Sequence, residues 1–144
     1  MNAEQLVRKV TALTGFTHSA GVEVLAAEAG RVSLSLAKKP ELLQFNGFFH
    51  GGVVSGLADH AAGAAATTAL PPGKIAVTVD LHVNLLTPAS GSTLVAKARA
   101  LQVGATICVV TVEVETDAPA GQQVCAIAIA TLRVVEMPSM GSTP

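Results

Sequence analysis

The sequence predicts an α+β fold in which a curved antiparallel β-sheet wraps around one long central helix. A continuous run of small and apolar residues at 51–69 is typical of a buried helix, and Pro71, Pro72 and Gly73 end it. Four strand-like segments follow, and the connections between them are too short for parallel crossovers. Wrapping such a sheet around the helix buries the apolar surfaces of both.

The remaining elements follow from local periodicity. Leu6, Val7, Val10 and Leu13 recur at helical spacing, which predicts an amphipathic helix over 3–13 that Gly15 ends. Alternating residues predict strands at 21–27, 31–37, 75–85, 93–102, 106–116 and 123–135. In the segment 75–85, the odd-numbered residues are expected on one face and Thr78, Asp80, His82 and Asn84 on the other.

The length of 144 residues fits one domain, which we expect over 1–137, with a disordered tail at 138–144. Charged residues make up only 13% of the chain, against about 25% in an average soluble protein. Such a surface is short of charge for a monomer, so we expect a homo-oligomer. A dimer is the expected active unit and a homotetramer, as a dimer of dimers, the expected assembly.

The net charge of −1, without a basic run, argues against nucleic acid and against anionic membrane surfaces as partners. The first ten residues contain no apolar core of a signal peptide, which predicts a cytoplasmic protein. The apolar run after His50 is long enough to cross a bilayer, but Asp59 and His60 lie at its middle, where charge is most costly in lipid.

The sequence lacks the motifs of several common catalytic centres. Cys108 and Cys125 lie in strand-like segments and are expected to be buried thiols. The histidines lack partners at metal-ligand spacing, so neither a metal nor another cofactor is predicted. The sequence contains no nucleophile elbow, no P-loop and no dinucleotide fingerprint.

Asp59 is the first candidate catalytic residue. It lies within the predicted buried helix among Val53, Val54, Leu57 and alanines, where a carboxylate loses solvation unless it faces a cleft or a donor. A desolvated carboxylate is suited to act as a base or a nucleophile. The residues alone leave an equal alternative, in which Asp59 occupies an exposed stripe of the helix beside Ser55 and Gly63.

The motif His50-Gly51-Gly52 at the start of this helix is the second candidate. Two glycines allow a ligand to approach the backbone, and the first turn of a helix presents unpaired N–H groups. The Gly51 N–H could therefore polarise a carbonyl and stabilise an oxyanion, with Asp59 as the accompanying base. His50 could be a catalytic base, but we favour a role in capping the helix or orienting the loop.

The segments QFNGFFHGGVVSGLAD and VTVDLHVNLLTPA resemble the phenylacetic-acid-degradation (PaaI-type) branch of the hotdog thioesterases, which includes the Arthrobacter-type 4-hydroxybenzoyl-CoA thioesterase. The similarity spans roughly 20–135 and implies the hotdog fold. It also implies that Asp59 is the nucleophile or general base and that the Gly51 amide polarises the thioester carbonyl. Gln44 and Thr78 would position the water or the leaving thiolate. The resemblance places Gly51 and Gln44 on one subunit and Asp59 and Thr78 on the other.

Further residues near the motif are expected to bind the acyl-CoA substrate, namely Asn46, Phe48, Phe49, His50 and Gly52. Phe45, Phe48 and Phe49 cluster just before His50, where they would wall the acyl pocket or a subunit interface. The sequence also departs from the family pattern. Gly63 replaces a hydroxyl residue that some members carry one turn after the acid, and Ala105 replaces a basic residue. Contacts to the CoA phosphates are therefore open, with Lys97, Arg99 and Arg133 as candidates.

The leading hypothesis is hydrolysis of an acyl- or aryl-CoA thioester to the free acid and CoA. One alternative is a hotdog hydratase or dehydratase that pairs His50 with Asp59, although the proline-rich loop of the carrier-protein dehydratases is absent. Another alternative is a non-catalytic acyl-CoA binding module. Incubation with an enoyl-CoA and a screen for thiol release discriminate among the three hypotheses.

Overall fold

The computed structural model describes residues 1–139 and contains three α-helices and six strands in that range. One short 3-10 turn, Pro40–Leu42, precedes the long helix. In chain order the elements are α1 (Ala3–Ala12), α2 (Gly15–Ala20), β1 (Glu23–Glu28), β2 (Arg31–Ala37), α3 (Gly51–Thr68), β3 (Lys74–Leu85), β4 (Thr93–Val103), β5 (Ile107–Ala118) and β6 (Gly121–Glu136).

The six strands form one antiparallel sheet in the order β1-β2-β4-β5-β6-β3. Helix α3 lies across the inner face of the sheet and contacts all six strands. The predicted hotdog fold is thereby confirmed. Strand β3, which follows α3 directly, is an edge strand and runs along the helix: Ala76 is hydrogen-bonded to Thr67, Thr78 to Asp59, and Leu85 lies against Gly51.

Small side chains let α3 pack closely against the sheet. Six alanines of the helix are buried together with Val54 and Leu57: Ala58, Ala61, Ala62, Ala64, Ala65 and Ala66. Because an alanine side chain ends at its Cβ atom, the strands approach the helix more closely than they could over leucines. Within residues 1–139, no helix is both long and apolar enough to cross a membrane.

The predicted face alternation of β3 is wrong, because a β-bulge shifts the register between Thr78 and Asp80. Before the bulge, Ala76 and Thr78 face α3, whereas after it Leu81 and Val83 pack against the core. Val79 is left on the outside with 60% of its surface exposed. A period-two pattern in the sequence cannot reveal a bulge, since the bulge is fixed by pairing with β6.

The N-terminal region also differs from expectation in one respect. Helix α1 matches the prediction, but Gly15 begins a second short helix, α2, which the sequence pattern did not predict. The φ angle of Gly15 is +78°, a left-handed conformation that glycine adopts without a steric penalty. The reversal lets α2 follow α1 after only two intervening residues. Of the expected tail, residues 140–144 lie outside the described residues.

A part-buried hydrogen bond joins α1 to α3. Thr11 Oγ1 and His60 Nε2 are 2.9 Å apart, and the Thr11 carbonyl accepts a hydrogen bond from Thr17 Oγ1. Burial lowers the pKa of His60 from its ordinary value of 6.5, and the negative charge of Asp59 opposes this shift in part. The neutral imidazole is therefore the form that the folded protein favours.

We expect Ala65→Leu to lower the free energy of unfolding by about 1–3 kcal/mol, because Ala65 is fully buried between α3 and the sheet. Urea denaturation measures the loss. Ala64→Leu is the matched control, since Ala64 borders a cavity that can accept the longer side chain. Equal losses in the two variants would contradict close packing as the reason for the alanines.

The stability of the protein should fall as the pH decreases below 6.5. The unfolded chain takes up a proton on His60 at its ordinary pKa, whereas the folded protein resists protonation until lower pH, so acid favours unfolding. Urea midpoints between pH 8 and pH 5 test this for the wild type and His60→Gln, with exposed His82→Gln as control. The prediction fails unless His60→Gln alone flattens the pH dependence.

Candidate active site

Asp59 and Thr78 form the polar centre of the candidate site. Thr78 Oγ1 donates a hydrogen bond of 2.7 Å to Asp59 Oδ1, which joins α3 to the edge strand β3. The carboxylate is half-buried, and its second oxygen, Oδ2, accepts no hydrogen bond within residues 1–139. One oxygen is thus held in place while the other is available to a ligand.

Asp59 lies at a cavity of 280 Å3, which we call the acid cavity. Its walls come from α3, α1, β3 and the segment after β6. Most of the lining is aliphatic or glycine: Leu6, Val7, Val10, Gly63, Ala64, Ile75, Ala76 and Met137, with Asp59, His60, Thr67 and Thr78 as the polar members. Sequence reasoning missed the α1 residues, although their helical spacing had identified an apolar face that needed a partner.

The start of α3 presents one free backbone donor. His50 is the N-cap, and its Nδ1 atom accepts a hydrogen bond of 2.9 Å from the Gly52 N–H. The N–H groups of Val53 and Val54 both donate to the His50 carbonyl. The Gly51 N–H has no acceptor within residues 1–139. The favoured capping role of His50 is confirmed, and Gly52 has no free N–H to offer a substrate.

A tight turn places Gln44 beside this helix start. The Gln44 N–H donates to the Phe48 carbonyl at 2.9 Å, and Asn46 Oδ1 accepts from the Phe48 N–H. Gly47 makes the turn possible with a φ angle of +84°, in the left-handed region. The side chain of Phe45 projects from the turn and is fully exposed.

The turn, the helix start and the connection after β3 surround a second cavity of 340 Å3, which we call the loop cavity. Of the residues predicted from sequence, it brings together Gln44, Asn46, Phe48, Phe49 and Gly51. Phe49 is mainly a core residue, with 2% of its surface exposed. His50 and Gly52 stand at the helix start but do not line this cavity.

The two cavities lie at different places along α3 of one chain. Gly51 and Asp59 are eight residues apart, which corresponds to about 12 Å of helical rise. The structure therefore brings Asp59 together with Thr78, and Gln44 together with Gly51, but it does not join the two pairs within one chain.

The basic residues considered for CoA phosphates line neither cavity. Lys97 forms an ion pair of 3.0 Å with Glu115, and Arg99 is exposed next to Arg31 of the adjacent strand. Both cysteines are buried thiols, as predicted, and burial raises the pKa of each thiol. In the described part of the chain, no three His, Cys, Asp or Glu side chains are grouped to hold a metal ion.

One curated relative has a named activity. A segment of 90 residues is 29% identical to the 1,4-dihydroxy-2-naphthoyl-CoA hydrolase of Listeria monocytogenes, and the match covers 62% of this chain and 73% of that enzyme.

Solved structures resemble this chain over most of its length. A thioesterase family protein from Silicibacter pomeroyi has a TM-score of 0.90 and 29% identity, covering 94% of this chain and 100% of that one. The PaaI protein of Escherichia coli, from the phenylacetic acid degradation operon, has a TM-score of 0.80 over 92% of this chain and 93% of its own. At 20% identity it shows the fold alone.

The protein smu.793 of Streptococcus mutans, solved with acetyl CoA bound, has a TM-score of 0.70 and 28% identity, covering 80% of this chain and 89% of that one. The family described as the thioesterase superfamily matches residues 46–121. This match takes in just over half of the chain, including the helix with Gly51 and Asp59 and the strand with Thr78, and the chain therefore belongs to the thioesterase superfamily.

Proposed function

We propose that this protein hydrolyses acyl-CoA thioesters to a free acid and CoA, at active sites that two copies of the chain share. The observation that carries the proposal is a carboxylate with one oxygen held by Thr78 and the other free, beside a mainly apolar cavity. Membership of the thioesterase superfamily supports thioester hydrolysis. The named activity of the Listeria relative and the acetyl CoA bound to the Streptococcus protein support a CoA ester as the substrate.

The spacing along α3 supports the sharing of the site. A thioester carbonyl that touches both an N–H donor and a carboxylate spans about 7 Å, from two contacts of about 3 Å and a C=O bond of about 1.2 Å, and a water between the carboxylate and the carbonyl carbon extends this span to about 10 Å. Gly51 and Asp59 of one chain are separated by about 12 Å along the helix. The two groups of one chain are therefore farther apart than the substrate contacts allow, and a second copy that presents its Gly51 to the first copy's Asp59 removes this difference.

The surface supports association in the same way. The edge strand β3 and the turn beside the loop cavity expose apolar side chains that water solvates poorly: Phe45, Val79, Leu85 and Leu86. Covering them with a second copy gives the dimer. Ile127 and Ile129 are exposed on the outer face of the sheet and support a second interface, which makes a dimer of dimers.

In the proposed reaction, the Gly51 N–H of one copy donates to the thioester oxygen and stabilises the negative charge that develops there. Asp59 of the other copy takes a proton from a water molecule, whose oxygen attacks the carbonyl carbon. The C–S bond breaks, and the proton on Asp59 passes to the thiolate sulfur. Direct attack by Asp59 followed by hydrolysis gives the same products.

The supporting residues have roles that their positions allow. Thr78 donates to Oδ1 and restrains rotation of the carboxylate, which leaves Oδ2 available to the water. Gln44 borders the same cavity as Gly51, so its amide would serve the oxyanion or the attacking water from the same copy. No observation favours the hydratase hypothesis, since His50 Nδ1 already accepts from the Gly52 N–H and His50 does not line the acid cavity of its own chain with Asp59.

Asp59→Asn should lower turnover by about 10²–10⁴-fold, because the amide neither accepts the proton nor attacks. Release of CoA thiol from acetyl, decanoyl, palmitoyl and phenylacetyl thioesters measures turnover, and size-exclusion chromatography checks the assembly. Near-normal hydrolysis by Asp59→Asn would remove this residue from the mechanism.

Thr78→Val should lower turnover by about 10–100-fold, because it removes the hydrogen bond to the charged carboxylate, whereas Thr78→Ser retains that hydrogen bond.

Gly51→Pro tests the backbone donor directly. Proline is well tolerated at the first position of a helix, and it removes the N–H. His50 already has the extended backbone that precedes proline, with φ −62° and ψ 138°. We expect turnover to fall about 10²–10³-fold. Gly51→Ala is the matched control, because it also crowds Leu85 but keeps the N–H.

Mixing the two inactive variants tests whether the site is shared. If Gly51→Pro and Asp59→Asn chains are unfolded and refolded together in equal amounts, half of the dimers are mixed and each has one intact site. We expect about a quarter of wild-type turnover to return. Failure of the mixture to exceed either variant alone, with mixed dimers verified by differently tagged chains, would place the complete site within a single chain.

A further inference from the structure

The lining of the acid cavity suits a ligand group that is apolar along its length and reactive at one end. Among its polar members, Thr78 donates to Asp59, His60 Nε2 pairs with Thr11, and Thr67 Oγ1 accepts from the Ala76 N–H. The free carboxylate oxygen is thus the main polar group left for a ligand. The rest of the lining gives a bound molecule little to hydrogen-bond with.

One wall of this cavity belongs to α1. Leu6 and Val10 lie one helical turn apart on the α1 face toward the cavity, and Val7 behind them is buried. The Thr11–His60 hydrogen bond joins the C-terminal end of α1 to α3, and a capping box in which Asn2 and Gln5 exchange hydrogen bonds stabilises the first turn of α1 itself. The hydrogen bond to His60, the residue after Asp59, therefore holds this wall close to the carboxylate.

The floor of the cavity is Gly63, one helical turn beyond Asp59. A Cβ atom built on Gly63 would meet only the Ala76 carbonyl oxygen, at 4.0 Å, so the space above this residue is open. The absence of a side chain thus adds volume close to the reactive carboxylate. An apolar cavity of about 150 Å3 accommodates benzene, so 280 Å3 has room for an aryl ring with a short linker or for a medium-length alkyl chain.

We propose that Leu6 and Val10 of α1, together with Gly63, set the size of the acyl group. The pocket takes an uncharged arylacetyl-sized or medium-length acyl group and discriminates against long chains, which meet the α1 wall. This inference rests on the proposed function for the placement of the thioester carbon at Asp59. Thr11 is a positioning residue, because its hydrogen bond to His60 holds the α1 wall in place.

The test compares kcat/KM for acetyl, hexanoyl, decanoyl, palmitoyl and phenylacetyl thioesters of CoA. Leu6→Ala combined with Val10→Ala removes side chains from the wall and should raise the palmitoyl-to-hexanoyl ratio about tenfold or more. Gly63→Leu fills the floor and should shift preference toward acetyl, with the largest losses on decanoyl and phenylacetyl. Leu25→Ala is the matched control, because Leu25 is exposed on β1 away from the acid cavity and should leave the profile unchanged.

Thr11 provides a second readout. Thr11→Val removes the hydrogen bond to His60 and should flatten the acyl-size profile, whereas Thr11→Ser keeps the hydroxyl and should restore it. A thermal melt confirms that each variant is folded. If the double alanine variant does not fold, Val10→Leu narrows the pocket from the same wall without leaving a cavity, and it should shift preference toward acetyl as Gly63→Leu does.

Binding of non-hydrolysable acyl-CoA thioethers separates this inference from the proposed function. Calorimetry on the wild type and the variants gives the same size series without turnover. If the variants shift the dependence of binding affinity on acyl size but the protein hydrolyses no thioester, the proposed pocket stands and the proposed hydrolase activity is wrong. If the protein hydrolyses thioesters but the wild type, the wall variants and Gly63→Leu depend on acyl size in the same way, the proposed pocket is wrong and the proposed hydrolase activity stands.

Discussion

The close contact between α3 and the sheet is the constraint on which the rest of this structure depends. Alanines on the buried face of the helix let the strands approach it, and the edge strand β3 comes near enough for Thr78 to donate to Asp59 at 2.7 Å. Larger side chains along α3 would hold the strand away and leave the carboxylate without its donor. The same packing that forms the core thus fixes the orientation of the proposed catalytic group.

Helical geometry imposes the next constraint. A single helix carries both the free N–H of Gly51 and the carboxylate of Asp59, and the rise of the helix keeps them about 12 Å apart. Because the N–H must contact one carbonyl group and the carboxylate must attack it or deliver a water to it in the proposed reaction, pairing of two chains becomes part of the chemistry. The exposed apolar residues along β3 and the neighbouring turn offer the surface for that pairing.

Helix α1 links the fold to the choice of substrate in the proposed scheme. Its apolar face closes the acid cavity, and the part-buried hydrogen bond from Thr11 joins it to His60 of α3, the residue next to Asp59 in the chain. The neutral form of His60 suits this position, because a protonated imidazole would place a charge in a largely buried site. A structural helix at the N-terminus thereby becomes a wall of the site.

The sequence by itself determined the fold class, the buried helix and the two candidate groups on it. These features are written in local patterns: a run of small residues ended by prolines, alternating strands, an acid among apolar neighbours, and two glycines at a helix start. Nearly all helix and strand positions could be predicted for the same reason, since periodicity reports which face of an element is buried.

Only the tertiary structure decided which residues meet. The bulge in β3 turns Thr78 toward α3 and reverses the face that alternation had assigned to it, because the bulge depends on pairing with β6 rather than on β3 itself. Likewise, the spacing of Leu6 and Val10 shows that α1 has an apolar face but not what it covers. Contacts between distant segments are set by how the elements pack, and local periodicity carries no information about that packing.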